Sequence, residues 1–308
     1  MGEMERLDQS SFFGSESTVG AAFARFFSYS VLTELAKQGH SKIAGRIFHQ
    51  YNLNERFTPE TTVADFYDAL FMQLNKEYRH EYIYKNAIAE KVLLGKHNLN
   101  TAFMQTEFGV DCCKADVVVL NGTSHVYEIK SEMDNFDRLE RQLSAYKKVF
   151  DLITVITTEN LYQAVESRVD QTIGIMVLAK TGYKFKKTPY REPISNVKNV
   201  HSSVIFDSLH RKEYLQIIEE ILAVDLQDVP NTQIYEIAKS YFSKIDPEIA
   251  HAEMVRAIKK RQGAFKVSEF IHEVPSSLKA AYLSLKLSKS ENHKFLDLLK
   301  NNISVAFG

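Results

Sequence analysis

Apolar residues recur at three- and four-residue spacing from Val19 to His49 and again from Val63 to Leu94. That spacing lines them up along one helix face, so the first quarter of the chain reads as helical, with the polar stretch Asn52 to Thr62 and its Pro59 as a break. From Thr101 the period changes. Thr101 to Phe108 and Lys114 to Leu120 read as strands, Asn121 to Ser124 as a turn and His125 to Lys130 as a third strand, in meander order. Phe136 to Phe150 is amphipathic, with Leu139, Leu143, Tyr146 and Phe150 on one face and Arg138, Arg141 and Lys148 off it. Leu152 to Thr157 and Ile173 to Leu178 read as short buried strands around a helix at Leu161 to Val169, and the chain turns helical again from Ser203. The order predicts an α/β protein with a mixed sheet flanked by helices. Its divisions are a helical region over residues 1–75, the sheet core over 76–180, and a basic loop with a mostly helical region over 181–308.

Within the core, the stretch from Lys114 to Lys130 carries the candidate chemistry. Strand geometry puts Glu128 and Lys130 on one face and Tyr127 and Ile129 on the other. Asp116 opens a strand whose Val117, Val118, Val119 and Leu120 read as fully buried, so its carboxylate needs a partner, a metal or water. Two carboxylates and a lysine on a rigid β-ribbon suit phosphodiester hydrolysis assisted by a divalent cation. Register decides whether they meet. A direct Leu120 to His125 pairing around a four-residue loop would turn Asp116 away from Glu128, whereas an odd loop, such as three residues with Gly122 in the left-handed region, or a bulge sets Asp116 opposite Glu128. The odd register is the condition for an active site.

Composition narrows the rest. A chain of 308 residues with 44% hydrophobic content can bury a large core. Thirty-eight Lys and Arg face 39 Asp and Glu, so the whole-chain field does not draw nucleic acid and contact must come from local patches. One such patch is Lys180 to Arg191, where Lys184, Lys186, Lys187 and Arg191 alternate with Tyr183, Phe185 and Tyr190. It reads equally as a phosphate- and base-contacting loop or as a solvated linker. Cys112 and Cys113 are adjacent, which excludes a disulfide framework and a four-ligand zinc site and suits a reducing compartment. His49, His97 and His125 lack metal-ligand spacing. No apolar run approaches the roughly 20 residues of a membrane span, and Met1 to Ser10 is acidic where a signal peptide would be basic and then apolar. A cytoplasmic protein with no membrane partner is expected.

These residues resemble a family. Lys114-Ala115-Asp116, Tyr127-Glu128-Ile129-Lys130-Ser131 and the helix bearing Gln142 and Tyr146 are similar to the PD-(D/E)XK nuclease superfamily. Together with Tyr78 to Asn86 and Arg138 to Leu143 they resemble stand-alone bacterial and phage-encoded members of poorly assigned function, over roughly residues 75 to 220. Ala115 stands where that superfamily usually has Pro. The resemblance implies a restriction-endonuclease-like core in which Asp116, Glu128 and the Ile129 carbonyl hold Mg²⁺, with Mn²⁺ able to substitute. Glu81 would serve a second cation or its water, with Glu77 and Glu90 as alternatives. Lys130 would orient the attacking water or, deprotonated, act as the base, and Gln142 would fix Lys130 or the scissile phosphate. The substrate implied is nucleic acid, DNA first, in a setting of phage or mobile-element conflict. Near-zero net charge leaves room for a homodimer or protein partner to complete the groove. Two other classes compete: a catalytically silent nuclease-like docking protein, and an interaction scaffold working through its helical ends.

Overall fold

The computed structural model describes residues 17–96, 102–261 and 267–308. The readings above for Met1 to Ser10, His97 and Thr101 fall outside them. Four helices open the chain: α1 (Ser17–Ala24), α2 (Tyr29–Gln38), α3 (Lys42–Gln50) and α4 (Val63–Glu77). Their starts are written in the sequence. The side chains of Ser28, Ser41 and Thr62 accept the backbone N–H of Val31, Ala44 and Asp65, and Gly39 at φ 78° ends α2. Helix α5 (Glu81–Ala87) runs through a π-helical turn, Ile88–Leu93, into the short α6 (Leu94–Lys96).

The sheet follows as β1 (Phe103–Val110), β2 (Cys113–Asn121), β3 (Thr123–Lys130), helix α7 (Leu139–Lys147), β4 (Leu152–Thr157), helix α8 (Tyr162–Glu166) and β5 (Gly174–Val177). The five strands lie side by side in sequence order, antiparallel from β1 to β3 and parallel from β3 to β5. The two parallel pairings each enclose a helix, as a parallel connection requires. The mixed α/β sheet is therefore as expected. The turn between β2 and β3 is tighter than expected: β2 continues to Asn121 and β3 begins at Thr123, so Gly122 alone separates them, at φ 75°. With no Cβ to clash, glycine is the residue that turns there without strain.

Helices α9 (Ser202–Asp207), α10 (Arg211–Leu222), α11 (Ile234–Phe242) and α12 (Pro247–Lys260) cover one face of the sheet together with α7 and α8. The chain then returns: α13 (Lys279–Ser284), α14 (Lys289–Lys300) and α15 (Ile303–Phe307) pack with the N-terminal helices on the opposite face. Phe307 stacks on Phe48, and Val63 N–H bonds the Asn301 carbonyl, so the two ends of the described chain share one core. Both faces of the sheet are thus buried, which explains the unbroken Val117 to Leu120 run.

One irregularity shapes the site. Met104, Val117 and Val119 belong to the core shared with the N-terminal helices, but Phe108, Val110 and Ala115 belong to the core on the other face. Strict alternation would keep Met104 and Phe108 on the same side. Between them lies Glu107 at φ 54°, a left-handed conformation inside a strand. The β1–β2 ribbon switches faces at that residue and at Asp116 opposite it.

Candidate active site

Pairing of Leu120 with Ser124 and of Asn121 with Thr123 is the odd register, and continued along the ladder it sets Asp116 level with Glu128. The β1–β2 register, Thr106 with Val117 and Phe108 with Ala115, sets Glu107 level with Asp116. Three acids therefore stand in a row across three neighbouring strands. Asp116 takes the place of a ladder acceptor: its Oδ2 receives the Ile129 N–H at 2.7 Å. N–H and C=O of one strand residue point to the same side, so the Ile129 carbonyl faces Asp116 as well.

The inner half of the site is buried. Glu128 and Lys130 are only 1% and 5% exposed, yet both are satisfied. Glu128 Oε1 lies 3.0 Å from Lys130 Nζ, its Oε2 lies 2.7 Å from the Tyr146 hydroxyl, and Lys130 donates to Gln142 Oε1 at 3.1 Å. Gln142 and Tyr146 are one turn apart on α7, so a single helix face locks both ends of the pair. The Tyr146 hydroxyl also sits 2.9 Å from the Lys114 carbonyl, at the start of the same ribbon. Burial raises the Glu128 carboxyl, opposed by the Lys130 charge and the Tyr146 hydrogen bond.

The outer half gathers Glu81, Glu107 and Asp116, each offering a carboxylate oxygen within 4.8 Å of the others. Glu81 is the first residue of α5, and Lys85, four residues on, pairs with it at 2.6 Å and also with Glu107. Burial works against the Lys85 charge, but Glu81 and Glu107 outweigh it and raise its pKa. Asp116 is pushed up to about 8, first by burial and then by the charges of Glu128 and Glu81. Crowded carboxylates of this kind suit a hard divalent cation: the donors are all oxygen, and a cation would offset both the burial and the carboxylate repulsion that raise Asp116.

Of the residues singled out in the sequence, Asp116, Glu128, Ile129, Lys130, Gln142 and Glu81 converge here. Glu81 is the acid from the preceding helices that joins the cluster, while Glu90 pairs with its neighbour Lys91. Glu107 and Lys85 were missed. Glu107 was legible as a lone acid among apolar strand positions, but its partnership with Asp116 needs the two-residue turn at Asp111 and Cys112, where Asp111 takes φ 51°. The basic loop lies elsewhere. Its backbone follows β5, at the opposite sheet edge from β1, with Arg191 bridging to Ile175 and the Lys186 N–H bonding the Val177 carbonyl. Lys186 pairs with Glu159, and Arg191 donates to the Ile173 and Asp170 carbonyls, leaving Lys184 and Lys187 exposed. His125 bonds Thr154 and stacks on Tyr127, as a packing histidine does. The Cys112 and Cys113 thiols are free.

The fold and site define a mixed α/β protein with a buried carboxylate–lysine centre, and comparison with known proteins gives it a family. Residues 74–282 match the family described as bacteriophage P4 protein cII, and the chain belongs to that family. Protein cII of Enterobacteria phage P4 itself is 32% identical over 63 residues, which cover 20% of this chain and 24% of that protein. The match thus spans about a quarter of the length of the curated relative. A solved protein of unknown function from Silicibacter pomeroyi is similar at 16% identity and a TM-score of 0.25, over 31% of this chain and 62% of that one. A phage family agrees with the resemblance to phage-encoded proteins. Among the described residues no helix is long and apolar enough to cross a membrane.

Proposed function

We propose that this chain is a metal-dependent nuclease of the PD-(D/E)XK kind, acting on DNA in a phage setting. One observation carries the reading: Glu107, Asp116 and Glu128 stand level on adjacent strands with Lys130 beside Glu128. A protein that only docked a partner has no need to bury an acid, a lysine and their hydrogen-bonding tyrosine against that row.

Asp116, Glu81 and Glu107 would hold the cation, with the Ile129 carbonyl and Glu128 completing the set from the sheet side. Each Glu128 oxygen has a second lone pair beyond those facing Lys130 and Tyr146. Mg²⁺ or Mn²⁺ bound there would neutralise phosphate oxygens and make water acidic enough to attack at neutral pH. The chain's own groups do the rest. Lys130, held by Gln142, orients the attacking water and offsets charge developing on the phosphate. Tyr146 keeps Glu128 turned to the site, and the buried setting of both strengthens these interactions.

A catalytically silent docking role is the competing reading. It is favoured by Lys85, whose ammonium bridges Glu81 and Glu107 and partly neutralises the cluster without an ion. A panel of plasmid, linear duplex, single-stranded DNA and RNA with Mg²⁺ or Mn²⁺ separates the two. Cutting by the wild type, lost in Asp116→Ala and Lys130→Ala by about 10²-fold or more, supports the nuclease. No cutting by the wild type supports docking, and equal cutting by all three proteins rejects this active site.

A further inference from the structure

The outer acids Glu81 and Glu107 open into a trench of about 1220 Å³ along the outer side of β1. Its walls are β1, the α1–α2 connection, the chain from α13 to α14, and the ends of α10 and α12 at His210 and Arg261. Among the described residues no strand pairs with β1 on this side. Phe27, Phe103, Leu285 and Leu287 give the trench an apolar floor. Tyr29 stands in it 57% exposed, an aromatic ring that packing alone does not account for. Away from Glu81 and Glu107 the exposed cation of the lining is Lys286, whereas Arg261 is paired with Glu213 at 2.6 Å and His210 lies 3.7 Å from the same carboxylate.

We propose that this trench receives one unpaired nucleic-acid strand and leads it to the carboxylate row, so that the substrate of the site is single-stranded or has a single-stranded end. The inference rests on the nuclease reading for its chemistry, and the trench supplies the substrate class. Size is the first argument. Pockets of roughly 300–1,000 Å³ take one drug-sized ligand, so a trench of about 1220 Å³ accommodates a few nucleotides in file. Lining is the second. An apolar floor with an exposed tyrosine suits unstacked bases, which duplex DNA does not present, while the exposed Lys286 on the rim suits a backbone that is followed rather than read. Charge is the third: Lys286 stands away from the acids Glu81 and Glu107 at the reacting end, so a phosphate held by Lys286 sets the strand along the trench toward them.

The test is binding in EDTA, where no cleavage intervenes, of single-stranded DNA, single-stranded RNA and duplex DNA to the wild type, Tyr29→Ala and Lys286→Ala. Both positions are exposed, and thermal melting verifies that the variants fold. The expected result is tighter binding of a single strand than of duplex, weakened roughly tenfold by Tyr29→Ala. Lys286→Ala is expected to lower the slope of log affinity against log salt by about 0.7, the single-strand value for one phosphate contact. The DNA and RNA arms identify which strand it is. Preference for duplex, or single-strand binding that neither variant alters, overturns the trench assignment. Binding as expected without Mg²⁺-dependent cleavage would sink the nuclease reading alone, and cleavage indifferent to both variants would sink the trench alone.

Discussion

Glu107 is the residue at which the sequence pattern and the site part company. A non-glycine residue at φ 54° in a strand is strained by about 1–2 kcal/mol, and here the strain accompanies a switch of faces that aims its carboxylate toward Asp116 and Glu81. Removing the carboxylate and removing the strain are therefore separable. Glu107→Gly is expected to be more stable than Glu107→Ala by about 1 kcal/mol, because only glycine adopts that backbone freely. Both variants should lose metal-dependent cleavage, since both lack the ligand. Denaturant melts beside a cleavage assay give the answer. Equal stability of the two would mean that residue 107 relaxes and that the face switch has another cause.

At the scale of elements, the turn at Gly122 fixes the register on which the row of acids depends. Nothing lies within 4 Å of where a Cβ would sit there, so Gly122→Ala isolates the backbone term. It should cost about 1 kcal/mol, a drop of roughly 2 °C in Tm, and Gly122→Asn less. Scanning calorimetry of the two variants checks the order, and an Asn variant worse than Ala would contradict the left-handed assignment. The strands and helices of the core were legible because their periods are regular: Val117 to Leu120 announces a buried strand, and Leu139, Leu143 and Tyr146 announce the inner face of α7. The pair Glu128 and Lys130 was legible for the same reason. What the period could not carry was its own interruption at Glu107, or a contact as distant as Lys85 with Glu107. In the basic loop a row of cations looks free in a sequence, whereas Lys186 and Arg191 pair with Glu159 and with the carbonyls beside β5, and Lys184 and Lys187 stand exposed.

For the whole molecule, the site is a stability cost that a ligand can relieve. The ends of the chain close one core, the α7 to α12 helices close the other, and the crowded acids lie at the sheet between them. In the metal-free protein Asp116 is pushed up to about 8 and Glu128 is raised with it, both chiefly by burial. For an acid, a raised folded value favours the protonated form. The stabilising contribution is complete below the ordinary carboxylate range and is lost as pH climbs toward 8. Metal-free protein should therefore lose stability from about pH 4 to pH 8, and Asp116→Asn should flatten that loss. Added Mg²⁺ should raise Tm more at pH 8 than at pH 5, by the linkage of binding to folding. A wild-type profile no different from that of Asp116→Asn would contradict the buried-acid account. Every role assigned to the site stands on the row of acids being a divalent-cation centre. The measurement that tests it most directly is calorimetric titration of Mn²⁺ into wild type, Asp116→Ala and Glu107→Ala. Saturable binding by the wild type, lost with Asp116→Ala and weakened about tenfold or more with Glu107→Ala, is the predicted result. No binding by the wild type, or equal binding by all three, would contradict it.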